Sequence, residues 1–118
     1  MNYIKKLEER KKILNLFSAS YPEGCLKWSN ESLEHFRVKA EVFHYLKSNS
    51  YKVWSEVVLK HHQQRPDILC LHKKGNSAYI IEIKKSEPES SLKLKSEEYP
   101  LPIIVVNAKD FKIEEFKL

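Results

Sequence analysis

Two carboxylates and a lysine in the middle of the chain have types and spacing suited to metal-dependent chemistry. Asp67 follows Pro66 at the start of one apolar run, and Glu82 and Lys84 stand two residues apart within the next. Two carboxylates with a backbone carbonyl suit a hard divalent cation such as Mg²⁺, which prefers oxygen ligands. Such an ion can polarise a phosphodiester and lower the pKa of a bound water, and a lysine beside it can orient that water. The pattern therefore indicates phosphodiester hydrolysis.

An ordinary surface ion pair is the alternative interpretation of Glu82 and Lys84. A lone E-x-K triplet in a strand is more often a solvated salt bridge than a catalytic group. A Pro-Asp pair that opens the preceding strand, one short hairpin away, is a rarer combination and favours the metal site. In the alternative, both side chains would face open solvent on an interaction domain.

Three strand-like segments must position these groups. Their β-branched and apolar residues predict strands over three ranges: 51–59, 66–72 and 78–85. Because side chains alternate along a strand, Glu82 and Lys84 should point to one face while Ile81 and Ile83 point to the other. If the last two strands pair antiparallel in the right register, Asp67 comes within reach of Glu82.

Two amphipathic helices are expected before the strands. Apolar spacing predicts one helix over 3–17 and a second that begins near Ser29 or Asn30 and ends near Lys47. The second helix should bury an apolar stripe of four residues: Leu33, Phe36, Ala40 and Phe43.

A further helix and strand should follow the hairpin. The polar segment 87–98 predicts the helix, and the apolar run 101–107 predicts a strand buried on both faces of a mixed sheet. The tail 111–116 could be an edge strand or a short helix. The order α-α-β-β-β-α-β predicts an α/β fold, with a mixed four-stranded sheet flanked by helices in a single domain over 1–118.

Composition narrows the class of protein. The 118 residues are 42% hydrophobic and 31% charged, which is typical of an ordered domain rather than a disordered chain. A net charge of +5 mildly favours a polyanionic partner. Cys25 and Cys70 have no metal-binding spacing, which favours a reducing, cytoplasmic location. The charged N-terminus and the absence of a long apolar run argue against a signal peptide and a membrane partner.

The motif Pro66-Asp67, fourteen further residues and then Glu82-Ile83-Lys84 resembles the signature of the PD-(D/E)XK nuclease superfamily. That superfamily includes restriction endonucleases and archaeal Holliday-junction resolvases. The resemblance implies that Asp67, Glu82 and the Ile83 carbonyl bind Mg²⁺ or Mn²⁺, and that Lys84 serves the attacking water. It implies a metal-dependent endonuclease acting on DNA, with RNA left open. A nucleic-acid-binding or assembly module that keeps this fold without catalysis is the alternative.

The same resemblance implies a restriction-endonuclease-like core of order αβββαβ. That core would occupy residues 29–107, preceded by an extra N-terminal helix and loop over 1–24 and followed by a tail over 108–118. Several segments also resemble the nuclease domain of CoiA-type competence proteins: Glu31-Ser-Leu-Glu-His35, Lys39, Glu56, Arg65-Pro-Asp67 and Ile81-Glu-Ile-Lys-Lys-Ser86.

Five polar residues are candidates to support the site: Glu31, Glu34, His35, Glu41 and Glu56. In the superfamily the first core helix usually offers an acidic residue to the metal, and the sequence does not choose among its three glutamates. An ordinary charged helix face is the alternative for each. His35 could contact a phosphate, orient an acid or be a satisfied, partly buried histidine. Glu56 could supplement the metal site or pair with a lysine.

Six residues are candidates for nucleic-acid contact: Lys39, His61, His62, Gln64, Arg65 and Lys85. The turn over 61–65 supplies hydrogen-bond donors, and phosphate contacts need donors rather than a sequence code. A plain solvated loop is the alternative. A nuclease that cuts both strands needs two active sites, so a chain of this size is expected to work as a homodimer.

Overall fold

The computed structural model describes residues 3–60, 65–75, 77–84 and 101–118. Within these ranges the helices are Tyr3–Asn15 (α1) and Leu33–Ser48 (α2). The strands are Phe17–Ala19 (β1), Tyr51–Ser55 (β2), Val57–Leu59 (β3), Ile68–His72 (β4), Ala78–Lys84 (β5) and Ile103–Asn107 (β6). The helix expected over 87–98 lies outside the described residues, as do four candidate contact residues: His61, His62, Gln64 and Lys85.

A mixed four-stranded sheet organises the fold, as the sequence predicts. Its strand order is β2-β4-β5-β6. β4 pairs antiparallel with both β2 and β5, whereas β6 pairs parallel with β5. A separate two-stranded sheet forms from β1 and β3. The described residues therefore have an α/β fold, and none of their helices is long and apolar enough to cross a membrane.

The two faces of the sheet bury different side chains because residues alternate along β4 and β5. On one face, α2 packs on a cluster that includes Val38, Val42, Leu46, Ile68, Ile81 and Ile83. On the other face, β1 and β3 contribute to a second cluster: Phe17, Val57, Leu59, Leu69 and Ile80. The predicted alternation is confirmed, since Ile81 and Ile83 join the α2 cluster and leave Glu82 and Lys84 on the opposite side.

The start of α2 differs from the prediction. The N-cap is Ser32, whose Oγ accepts a hydrogen bond from the His35 N–H, while Asn30 lies before the helix with a φ of 56°. The predicted core stripe is therefore partly wrong, because Leu33 falls in the first turn and is 75% exposed. Five helix residues are buried instead: Val38, Lys39, Val42, Phe43 and Leu46.

The strand predicted over 51–59 is broken at Glu56. This residue has a φ of 57°, in the left-handed region that few non-glycine residues adopt. The break ends β2 at Ser55 and redirects the chain, so that β3 pairs antiparallel with β1. The sequence did not predict β1, a strand of three residues directly after α1.

β6 and the tail complete the described fold. The expectation that 101–107 is buried on both faces is wrong for β6, where Val106 is buried and Val105 is exposed. Strand β6 is the last strand of its sheet among the described residues. Of the two forms expected for the tail, the short helix is confirmed as a 3-10 turn over Ile113–Glu115.

Candidate active site

The register between β4 and β5 aligns the two predicted carboxylates. Ile68 pairs with Ile81, so the next position along the ladder sets Asp67 beside Glu82. Asp67 immediately precedes β4, and Glu82 lies near the end of β5. The antiparallel register that the prediction needs is observed up to the Ile68–Ile81 pair, and continued by one position it puts the two carboxylates on the same face.

Asp67 is held by the backbone of the neighbouring strand. Its Oδ2 accepts a hydrogen bond of 2.7 Å from the Ile83 N–H. Its Oδ1 lies 3.5 Å from Nε2 of His35, which reaches across from α2. Asp67 is thereby fixed in orientation from two sides, which is what a metal-binding carboxylate requires.

Glu82 and Lys84 form a sheltered ion pair. Lys84 Nζ lies 3.3 Å from Glu82 Oε2, and the Glu82 side chain is only 4% exposed. The alternative that both residues face open solvent is therefore wrong. A buried carboxylate requires compensating charge or hydrogen bonds, and Lys84 provides part of that compensation.

The His35 ring lies between Glu31 and the end of β5 and contacts both. Its Nδ1 lies 2.5 Å from Glu31 Oε1, and its Nε2 lies 2.9 Å from the Ile83 carbonyl oxygen. Because acceptors face both ring nitrogens, the arrangement favours the doubly protonated ring. Hydrogen bonding to Asp67 outweighs burial and, with Glu31, raises the pKa of His35 to about 9. The ring is therefore a cation at neutral pH.

Glu31 and Lys39 form a buried pair behind His35. Lys39 is fully buried, with its Nζ 2.5 Å from Glu31 Oε2 and 2.7 Å from the Lys27 carbonyl oxygen. Although burial raises the pKa of Glu31, hydrogen bonds from Lys39, Ser29 and His35 outweigh it and lower the pKa to about 2. The prediction that Lys39 contacts nucleic acid is corrected here, since its ammonium is enclosed by protein.

The remaining supporting candidates separate into three situations. Glu56 joins the buried pair, with its Oε1 3.4 Å from Lys39 Nζ. Glu41 instead pairs with Arg37 at 3.1 Å on an exposed part of α2. Glu34 Oε1 is buried and has no hydrogen-bond partner among the described residues. Pairing with a lysine, one of the two readings of Glu56, is thus the one observed. Arg65 is exposed.

The three oxygen donors suit a hard cation in their chemistry, although each already has a hydrogen-bond or ion-pair partner within the protein. Asp67, Glu82 and the Ile83 carbonyl supply the oxygen ligands that Mg²⁺ or Mn²⁺ prefers. In the described part of the chain, however, no three His, Cys, Asp or Glu side chains are grouped as a metal site. The Ile83 carbonyl accepts from His35 and keeps a second lone pair, so an ion could share this oxygen while the hydrogen bond remains.

Sequence reasoning missed a polar pocket beside this network. Its walls include Tyr21, Lys27 and Trp28, from the segment that leads into α2, and Glu56 after β2. The sequence carried a signal for this pocket, because Tyr21, Lys27 and Trp28 lie in one connecting segment that also contains Pro and Gly. Binding residues lie disproportionately often on connecting segments of this kind.

An α/β domain with paired carboxylates and a lysine at the ends of adjacent strands has the elements of a nuclease-like domain. The family model of the nuclease-like domain of competence protein CoiA matches residues 31–101, which is more than half of the chain. The chain therefore belongs to this family, and the CoiA resemblance expected from its motifs is confirmed. No curated protein and no solved structure matches the chain.

Proposed function

We propose that this chain is a metal-dependent endonuclease of the PD-(D/E)XK class that hydrolyses DNA phosphodiester bonds. The observation that carries the proposal is the buried Glu82–Lys84 pair, set in register beside Asp67 at the end of the β4–β5 ladder. Membership of a nuclease-like family supports it. The antiparallel β2-β4-β5 sheet with a parallel β6 also fits a restriction-endonuclease-like core of order αβββαβ.

Each site residue has a task that follows from its surroundings. Asp67, Glu82 and the Ile83 carbonyl would hold Mg²⁺ or Mn²⁺, which when bound would polarise the phosphodiester and lower the pKa of a water. Lys84, anchored 3.3 Å from Glu82, can donate to the attacking water or to a phosphate oxygen. The burial of Glu82 limits solvent screening and so strengthens both effects.

His35 links this site to its support. As a cation it stabilises Asp67 and holds the Ile83 carbonyl, while Glu31 and Lys39 fix the ring from behind. We assign His35 the orienting task among those expected of it. The free thiols of Cys25 and Cys70 support a proposed intracellular, reducing location. A homodimer is proposed for double-strand cleavage, and light scattering at micromolar concentration tests it.

The test of catalysis uses purified protein with supercoiled plasmid, single strands and four-way junctions, in Mg²⁺, Mn²⁺ or EDTA. We expect cleavage only with metal, and its loss in Asp67→Ala, Glu82→Ala and Lys84→Ala. Glu41→Ala is the matched control, because this carboxylate pairs with Arg37 on an exposed part of α2. Cleavage that survives both Asp67→Ala and Lys84→Ala would rule out the assignment.

A non-catalytic nucleic-acid-binding or assembly module is the second candidate. It is favoured by the contact between His35 and the Ile83 carbonyl, which occupies one of the two lone pairs of an expected metal ligand. Thermal unfolding with and without Mn²⁺ separates the two. A metal at 100 times its Kd stabilises the folded state by about 2.7 kcal/mol. An endonuclease should show this stabilisation and lose it in Glu82→Ala, whereas a module should show neither.

A further inference from the structure

The pocket between β1, the start of α2 and the Glu56 break is outside the proposed catalytic residues. Its volume is about 200 Å³, and its lining includes Tyr21, Lys27, Trp28, Ser29, Glu56 and Arg65. It is smaller than the roughly 300–1,000 Å³ of pockets for drug-sized ligands. The space therefore suits a group smaller than a drug-sized ligand, such as a single base.

One wall of the pocket is an exposed aromatic ring that is supported from behind. Trp28 is 52% exposed, and it packs on Phe36 at a centroid distance of 5.0 Å and a tilt of 58°. Tyr21 is also exposed, and Lys27 Nζ lies 4.7 Å from the centre of its ring. An exposed indole that lines a pocket offers a surface on which unpaired bases can stack.

The backbone that carries Trp28 is held rigidly. The Lys27 carbonyl accepts from buried Lys39 at 2.7 Å, and the Lys27 N–H donates to Ser55 Oγ at 3.3 Å. The Ser29 N–H donates to Glu31 Oε2 at 2.9 Å. These bonds tie the Lys27 side of Trp28 to α2 and β2 and the Ser29 side to Glu31, so the aromatic wall is formed before any ligand arrives, which lowers the cost of binding.

The polar groups of the pocket match different parts of a nucleotide. Lys27 and the exposed Arg65 are cations suited to backbone phosphates. Glu56 contributes a carboxylate, held in place by its left-handed backbone and by Lys39. A carboxylate accepts hydrogen bonds, and in a duplex the N–H donors on the pairing edges of bases are already used. The combination therefore selects an unpaired base.

We propose that this pocket binds one unpaired nucleotide of a DNA strand, with its base stacked on Trp28 and its phosphates near Lys27 and Arg65. The inference rests on the proposed nuclease function and narrows its substrate to DNA that contains a single-stranded segment. Because Ser29 and Glu56 contact the Glu31–Lys39 pair, a strand in the pocket is held beside the proposed catalytic site.

Fluorescence tests the contact directly, since the chain has two tryptophans. In Trp54→Phe the remaining indole is Trp28, and in Trp28→Phe it is Trp54. Both proteins are titrated in EDTA with a twelve-nucleotide oligo-dT strand, with its duplex and with oligo-U. We expect the single DNA strand to quench Trp54→Phe strongly and Trp28→Phe weakly. Equal affinity for the duplex, or binding of oligo-U alone, would overturn the proposal.

Affinity provides the second readout, by anisotropy of a labelled strand. Trp28→Ala should weaken binding about 5- to 150-fold, the range for loss of one base–aromatic stack. Lys27→Ala should reduce the slope of log K against log salt by about 0.7, as for one phosphate contact on a single strand. Lys109→Ala, an exposed lysine after β6, should leave that slope unchanged. Circular dichroism checks that each variant is folded.

Failure of this proposal is distinguishable from failure of the nuclease assignment. If Trp28→Ala binds single strands like the wild type while Asp67→Ala abolishes cleavage, the pocket proposal is wrong and the nuclease stands. If binding depends on Trp28 but no substrate is cleaved with any metal, the pocket proposal stands and the nuclease assignment is wrong.

Discussion

The buried ion pair between Glu31 and Lys39 allows the loss of folding stability to be predicted when either partner is removed. Lys39→Met removes a fully buried ammonium and leaves Glu31, whose side chain is 8% exposed, without its 2.5 Å partner. Glu31→Gln leaves the ammonium with the Lys27 carbonyl at 2.7 Å and Glu56 at 3.4 Å. Breaking one side of a buried pair typically costs about 3–5 kcal/mol, because the other charge stays buried.

The pKa of Glu31 gives a second measure of the same interaction. Its fall from 4.5 to about 2 corresponds to roughly 3 kcal/mol, or about 2 kcal/mol after allowance for solvent screening. A domain of this length has a total unfolding free energy of roughly 6–18 kcal/mol. Either substitution should therefore remove a large share of the stability and lower Tm by about 10–20 °C.

A double-mutant cycle with urea unfolding at pH 7 measures the coupling. The variant with both Glu31→Gln and Lys39→Met buries neither charge, so its loss should be smaller than the sum of the single losses by about 2–3 kcal/mol. The exposed Arg37–Glu41 pair, at 3.1 Å, is the matched control and should couple by less than about 1 kcal/mol. Additive losses at Glu31 and Lys39, or a cost below about 1 kcal/mol for Lys39→Met, would refute this reasoning.

Three further outcomes are expected. The pKa of Glu31 is lower in the folded than in the unfolded state, so its contribution to stability is complete above pH 4.5 and is lost as pH falls towards 2. The free energies of unfolding of the wild type and of Glu31→Gln, measured in urea, should therefore converge over that interval. A difference that stays constant with pH would contradict the lowered pKa. Burial raises the pKa of the Cys70 thiol to about 12, so at pH 8 an aromatic disulfide reagent should label the partly exposed Cys25 and reach Cys70 only after unfolding; rapid native labelling of both thiols would contradict this. The Arg10 guanidinium donates to two carbonyls of the β4–β5 hairpin, one of them at 2.6 Å. Arg10→Met should therefore speed amide hydrogen exchange in α1 by about tenfold or more. Lys11 is an exposed neighbour, and Lys11→Met should leave the exchange rate unchanged.

The catalytic candidates were predictable because they depend on local rules. Alternation in a strand fixes that Glu82 and Lys84 share a face, and the short hairpin leaves few registers that could align Asp67 with Glu82. The presence of a mixed four-stranded sheet followed from the order of apolar segments, whereas its strand order came only from the structure. These features need only the pattern of residues and the geometry of strands.

The differences arise where distant contacts decide the local structure. Ser29, Asn30 and Ser32 are all good N-caps, and the choice of Ser32 leaves Glu31 free to pair with Lys39. A lysine on a helix is expected to reach solvent, so the burial of Lys39 required knowledge of the segment packed over it. Likewise, 51–59 has an unbroken β pattern, and only the pairing of β3 with β1 shows why the chain turns at Glu56.

The two oxygens of the Glu31 carboxylate contact different parts of the protein. Oε1 contacts His35, which touches the proposed metal ligands, while Oε2 contacts Lys39 and the Ser29 N–H at the aromatic pocket. If the proposed cation and strand both act on this carboxylate, their binding is thermodynamically linked, and the linkage is reciprocal. Whatever factor a strand in the pocket applies to cation affinity, the cation must apply to affinity for the strand. Under the two proposals, the Glu31 carboxylate is the group through which such coupling would pass.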